Sequence, residues 1–87
     1  MSASAEQLIS YIYDAILNGC RTQNQEKVLS GLTELIKALN FDQKEIAVPM
    51  YQLYQFCLER ARKKEYEIVE EIIGEFKAAW SEAMNVS

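Results

Sequence analysis

Residues 58 to 70 contain neither glycine nor proline, so on local grounds a single helix could run from residue 49 to residue 84. The apolar pattern forbids it. At roughly 100° per residue, Ile46, Met50, Leu53, Cys57 and Ala61 fall on one line, and Val69, Ile73, Phe76, Trp80 and Ala83 fall on another about 80–90° away. A straight helix cannot turn both lines toward one core, so a break is predicted near Lys63-Lys64-Glu65. The charges agree with it. Arg60, Arg62, Lys63 and Lys64 would sit at the negative end of one helix, and Glu65, Glu67, Glu70 and Glu71 at the positive end of the next.

Two more helices precede this pair. Ser4-Ala5-Glu6-Gln7 is a capping-box pattern, followed by a stripe of Leu8, Ile9, Ile12 and Ile16 and a stop at Asn18-Gly19, both of which tolerate a left-handed backbone. Asp14 is expected on the exposed face. After a loop capped by Thr22 or Asn24, the residues Val28, Leu29, Leu32, Leu35, Ile36 and Leu39 make one continuous stripe, with charged and hydroxyl residues outside it. Gly31 inside that stripe either permits close approach of a neighbour or is tolerated drift. Asp42 with Glu45 forms another capping box, and Phe41 with Ile46 has the spacing of a hydrophobic staple. Pro49 then either interrupts a helix already under way or stands in the first turn of a helix that begins there. The predicted helices cover residues 5–18, 25–39, 43–63 and 65–84, within one domain over residues 1–87. Short connections make this an all-α, antiparallel up-down-up-down four-helix bundle, with the first helix the shortest and the bundle ragged at one end.

Composition narrows the function. The 87 residues carry a net charge of −4, which argues against nucleic acid and against an anionic membrane. No apolar run approaches the roughly 20 residues of a membrane span, and the opening MSASAEQ lacks a signal-peptide pattern. Cys20 and Cys57 have no metal or redox spacing and read as reduced core residues of a cytoplasmic protein, with a disulfide between facing helices as the alternative. The absence of histidine removes the usual general base and the commonest metal ligand. Glu67, Glu70, Glu71 and Glu75 read as a solvated helix face rather than a carboxylate site. No phosphate-cradling loop exists. No catalytic, cofactor-binding or metal-binding residue is predicted, and the chain reads as a binding protein rather than an enzyme.

Tyr54, Phe56, Tyr66, Phe76 and Trp80 are expected in the core or at its rim. Tyr11, Leu17, Val48, Tyr51 and Ile68 fall off their helices' main stripes. If contiguous, they would form a groove for an amphipathic partner or a self-association face. They are the candidate partner-binding residues.

The order of these elements resembles the FliS-type flagellar export chaperones. Members of that family carry a Ser-Pro-Glu-Glu-Leu-like helix start and a Leu-Tyr-Asp-Gly-Ala-Ile-like run, to which Ser4-Ala5-Glu6-Gln7-Leu8 and Ile12-Tyr13-Asp14-Ala15-Ile16 are similar, without the glycine. Leu53-Tyr54-Gln55-Phe56 looks like the family's third-helix element, and a basic turn follows at Lys63-Lys64. Glu70-Glu71-Ile72-Ile73 and the closing Trp80-Ser81-Glu82 are similar to its last helix. The likeness runs from about Ser4 to Met84. The chain would be a short member, without the N-terminal extension and with a shorter region between the first two helices. The resemblance implies a cytosolic chaperone that binds the disordered C-terminal segment of flagellin, or a related export client. It would prevent premature polymerisation and aid secretion, with no cofactor. The alternative expectation is a homo-oligomeric bundle, such as a homodimer, serving as an adaptor in another complex.

Overall fold

The computed structural model describes residues 5–83, and every regular element among them is a helix. α1 spans Ala5–Arg21, α2 Gln25–Lys37, α3 Lys44–Arg62 and α4 Tyr66–Ala83. They form a four-helix bundle in which α1 and α3 each pack against α2 and α4. Contacts between neighbours run in opposite senses. Along α1 and α4, Tyr13 meets Trp80, Asp14 meets Lys77 and Arg21 meets Glu70.

Two of the three chain reversals, α1 to α2 and α3 to α4, are built alike. α1 ends with Gln23 in the left-handed region, at φ 55°, and α3 ends with Lys64 there, at φ 62°. The Asn24 N–H donates to the Gly19 carbonyl at 2.8 Å and the Gln23 N–H to that of Cys20 at 3.3 Å. The Glu65 N–H donates to the Arg60 carbonyl at 2.9 Å and the Lys64 N–H to that of Ala61 at 3.0 Å. Both are Schellman closures, which satisfy the last carbonyls of a helix and normally recruit glycine. A side chain in the left-handed region costs about 1 kcal/mol, and the chain accepts that cost twice.

The resemblance extends through both hairpins. With Gln23 and Lys64 set in register, Tyr13 aligns with Tyr54, Ile16 with Cys57, Cys20 with Ala61, Val28 with Val69 and Leu32 with Ile73, and all ten are buried. Ile9 aligns with Met50, Leu35 with Phe76 and Leu39 with Trp80, all in or packed against the same core. The bundle is a pair of equivalent helical hairpins, α1–α2 and α3–α4, sharing one apolar centre. Tyr13 and Tyr54 meet there. Burial first, and then a side-chain hydrogen bond with Tyr13, holds the Tyr54 phenol well above its ordinary pKa.

Several boundaries differ from the sequence expectation. Asn18-Gly19 does not stop α1, which continues to Arg21. A Cβ on Gly19 would lie 2.8 Å from Val28 Cγ2, so this glycine serves close packing and the left-handed position falls on Gln23. α1 is therefore 17 residues long, and α2, at 13, is the shortest helix. α2 stops at Lys37, two residues early, and Asn24 is its cap, accepting from the Lys27 N–H at 3.2 Å. Asp42 does not cap α3. Gln43 stands there without a side-chain cap, while Asn40 accepts from the Asp42 N–H at 3.0 Å. Phe41 packs edge-on against Tyr51, at 5.9 Å between ring centres, and Ile46 is left exposed where the staple was expected. Pro49 lies within α3, not in its first turn. The break at Lys63-Lys64-Glu65 stands where the change of phase put it. The Ser4 cap and the helix end at Met84 lie outside the described residues.

The core also departs from the expected stripes. Leu8 is 55% exposed and Tyr13 takes its place on the inner face of α1. On α3 the inner face is Ala47, Tyr54, Cys57, Leu58 and Ala61, so the predicted line is split: Cys57 and Ala61 are buried, while Ile46 and Leu53 stand outside. Phe56, expected at the core rim, is 41% exposed. Cys20 and Cys57 are buried free thiols. They sit on the diagonal pair α1 and α3, no Cα atoms of which come within 8 Å, and a disulfide needs less than about 7 Å.

Candidate functional site

The five residues singled out in the sequence lie at separate places. Tyr11 is 61% exposed on the outer side of α1, near Leu8. Leu17 is half-buried and packs against the core. Val48 and Tyr51 share one edge of α3, where Tyr51 meets Phe41 and its hydroxyl accepts from Gln55 Nε2 at 3.1 Å. Ile68 opens α4 and lines a polar depression between the two reversals, with Cys20, Arg21, Gln23 and Lys64. Val48 and Tyr51 are the pair that the fold brings together.

An open apolar concavity lies elsewhere, between α3 and α4. It has a volume of about 430 Å³ and is lined by Leu53, Ile72, Glu75, Phe76 and Ala79. It arises because α3 is apolar over a wider arc than the core covers. Ile46, Leu53 and Phe56, spaced seven and three residues apart, continue along the α4-facing edge of α3. On α4, Ile68, Ile72 and Ala79 share the facing edge by the same periodicity. Ile68 is thus the one sequence-selected residue in line with this groove.

The matching seam of the first hairpin is closed, and the residues explain the difference. Ala15, Gly19 and Gly31 stand where the second hairpin has Phe56, Arg60 and Ile72. A Cβ on Gly31 would lie 2.4 Å from Ile16 Cγ1, so α2 rests its backbone directly on that side chain. Close approach is therefore the role of Gly31. The α1–α2 interface is the most extensive of the four, and α3–α4 the least. Bulky residues at the same positions hold the second pair apart. The signal that could have located the groove in the sequence is this exchange of small for large residues between the two hairpins.

Charge is distributed unevenly around the groove. The α1-facing edge of α4 is neutralised: Glu70 Oε2 lies 3.1 Å from Arg21 Nε, and Lys77 pairs with Asp14. At the turn end of the groove, Arg60 lies 5.3 Å from the Phe56 ring centre and 3.1 Å from Glu65. Its buried Nε has no acceptor. Burial pushes both thiols up to about 11, with Glu70 adding to the effect at Cys20 and Cys20 adding to it at Cys57, so neither is a ready nucleophile near neutral pH. Among the described residues no three of His, Cys, Asp and Glu are placed to hold a metal ion, and no helix is long and apolar enough to cross a membrane.

Comparison with protein-family models, with curated proteins and with solved structures returns no match. The residues and the groove therefore carry the functional argument.

Proposed function

We propose that this chain is a binding protein of the export-chaperone kind. It takes up a disordered client segment and holds it as a helix in the α3–α4 groove. Following the resemblance of the sequence, the client is the C-terminal segment of flagellin or of a related exported protein, held in the cytoplasm until export. The observation that carries this reading is the open apolar groove of Leu53, Ile72, Phe76 and Ala79, on a bundle whose matching α1–α2 seam is closed. The energetics are those of folding coupled to binding. Each client side chain buried in the groove contributes about 1.5–3 kcal/mol, against an ordering cost of about 2–5 kcal/mol for the segment. Three or four anchors spaced along one helix face are what it takes to exceed this cost together with the loss of translational and rotational freedom, about 4 kcal/mol or more. No chemistry is asked of the chain, and it contains no histidine to supply a general base at neutral pH.

Calorimetric titration of the flagellin C-terminal segment into the chain tests this. The expected result is micromolar or tighter binding with a large negative heat-capacity change, weakened at least about tenfold by Leu53→Ser. An absence of binding rules out that client.

A second reading rests on the opposite edge of α3. Phe41, Val48 and Tyr51 are all exposed there, and the Phe41 and Tyr51 rings are in contact. Used for self-association, this patch makes the chain a homo-oligomeric adaptor. Light scattering across a concentration series, without any client, would then show a rising mass that Tyr51→Ser abolishes.

A further inference from the structure

The charges that flank the groove define its occupant further, given the binding reading above. Glu71, Glu75 and Glu82 recur at helical spacing on α4, one row outward from Ile68, Ile72 and Ala79. All three are exposed, and among the described residues none of them takes part in an ion pair or hydrogen bond. The contrast lies within one helix, since the charges on the other edge of α4, Glu70 and Lys77, are both paired. Across the groove, the outer face of α3 offers Gln52 and Glu59; Arg60 is already held by Glu65 and the Phe56 ring, and Lys63 stands beyond them at the turn. One wall of the groove is thus apolar and its outer lip carries uncompensated negative charge.

We infer that the groove is built for a foreign amphipathic helix with lysine or arginine along the edge that lies over Glu71, Glu75 and Glu82. The apolar stripe of such a helix would fill the space over Leu53 and Ile72, and its basic edge would supply the missing partners. A second copy of this chain fits poorly. Groove-to-groove packing would set two acidic rows against each other, in a protein whose net charge is already −4.

Two fluorescent helical peptides test the inference. They share one apolar stripe, and the flanking edge is lysine in one and glutamate in the other. Each is titrated by anisotropy into the full chain, into Glu71→Lys/Glu75→Lys, and into Leu53→Ser, with circular dichroism confirming that each variant is folded. The lysine-edged peptide should bind about tenfold more tightly. Its advantage should shrink as salt rises and reverse in the double variant. Equal binding of both peptides, still weakened by Leu53→Ser, overturns the charge inference and leaves the groove reading standing. Binding of neither peptide, or binding indifferent to Leu53→Ser, overturns both.

Discussion

The two hairpins of this chain use the same inner face and opposite outer seams. Tyr13, Ile16, Val28 and Leu32 do in the first what Tyr54, Cys57, Val69 and Ile73 do in the second. At the seam, Ala15, Gly19 and Gly31 let α1 and α2 close on each other, whereas Phe56, Arg60 and Ile72 keep α3 and α4 apart. The core positions determine that four helices assemble. The seam positions determine which pair is left open. A change at the seam of either hairpin should therefore move stability in the first and binding in the second.

The largest effect is expected from giving the first seam the residue of the second. Gly31→Ile would drive a branched side chain into Ile16, which is fully buried, and should destabilise the chain by about 2–3 kcal/mol in urea denaturation. An unchanged midpoint would mean that the α1–α2 seam is not tight.

Next in size, taken thiol by thiol, is an alkaline effect on the core shared by the hairpins. Cys20 and Cys57 are raised from 9.0 to about 11 in the folded chain. Below about pH 9 both states hold their thiol protons and the contribution is complete. As pH rises toward 11 the unfolded chain releases them first, so stability should fall by on the order of 2 kcal/mol per thiol. Cys20→Ala gives the first hairpin the residue that the second has at Ala61, and it should remove its share of that slope. A slope identical to that of the parent chain would count against the burial of this thiol.

Smaller gains should come equally from the two reversals. Gln23→Gly and Lys64→Gly each relieve a left-handed side chain and should each stabilise by about 0.5–1 kcal/mol. Unequal gains would show that the reversals are not equivalent. The smallest effect is expected at Gly74, where an added Cβ meets nothing within 4 Å. Gly74→Ala should stabilise by at most about 1 kcal/mol through helix propensity alone, the opposite sign to any substitution at Gly31.

What was legible in the sequence follows the same division. The phase shift between Cys57 and Val69 located the reversal at Lys63-Lys64, because two stripes cannot face one core from a straight rod. The end of α1 differs from the expected one, because Asn18-Gly19 has the chemistry of a stop while its glycine is used for contact with Val28. On α3, Ile46 and Leu53 satisfy helical spacing as well as Tyr54 and Leu58 do, so periodicity alone could not separate groove from core. The groove itself is not legible in the stripes. It depends on what stands opposite Gly31 in the other hairpin, and that comparison needs the two reversals in register first.

The most direct test is an amide chemical-shift map of the nitrogen-15-labelled chain with the flagellin C-terminal segment added. Shifts concentrated at Leu53, Phe56, Ile72 and Ala79, with the α1–α2 seam unmoved, are the predicted result. Shifts centred on Tyr11 and the first hairpin, or none at saturating segment, would contradict the assignment of the α3–α4 groove as the binding site.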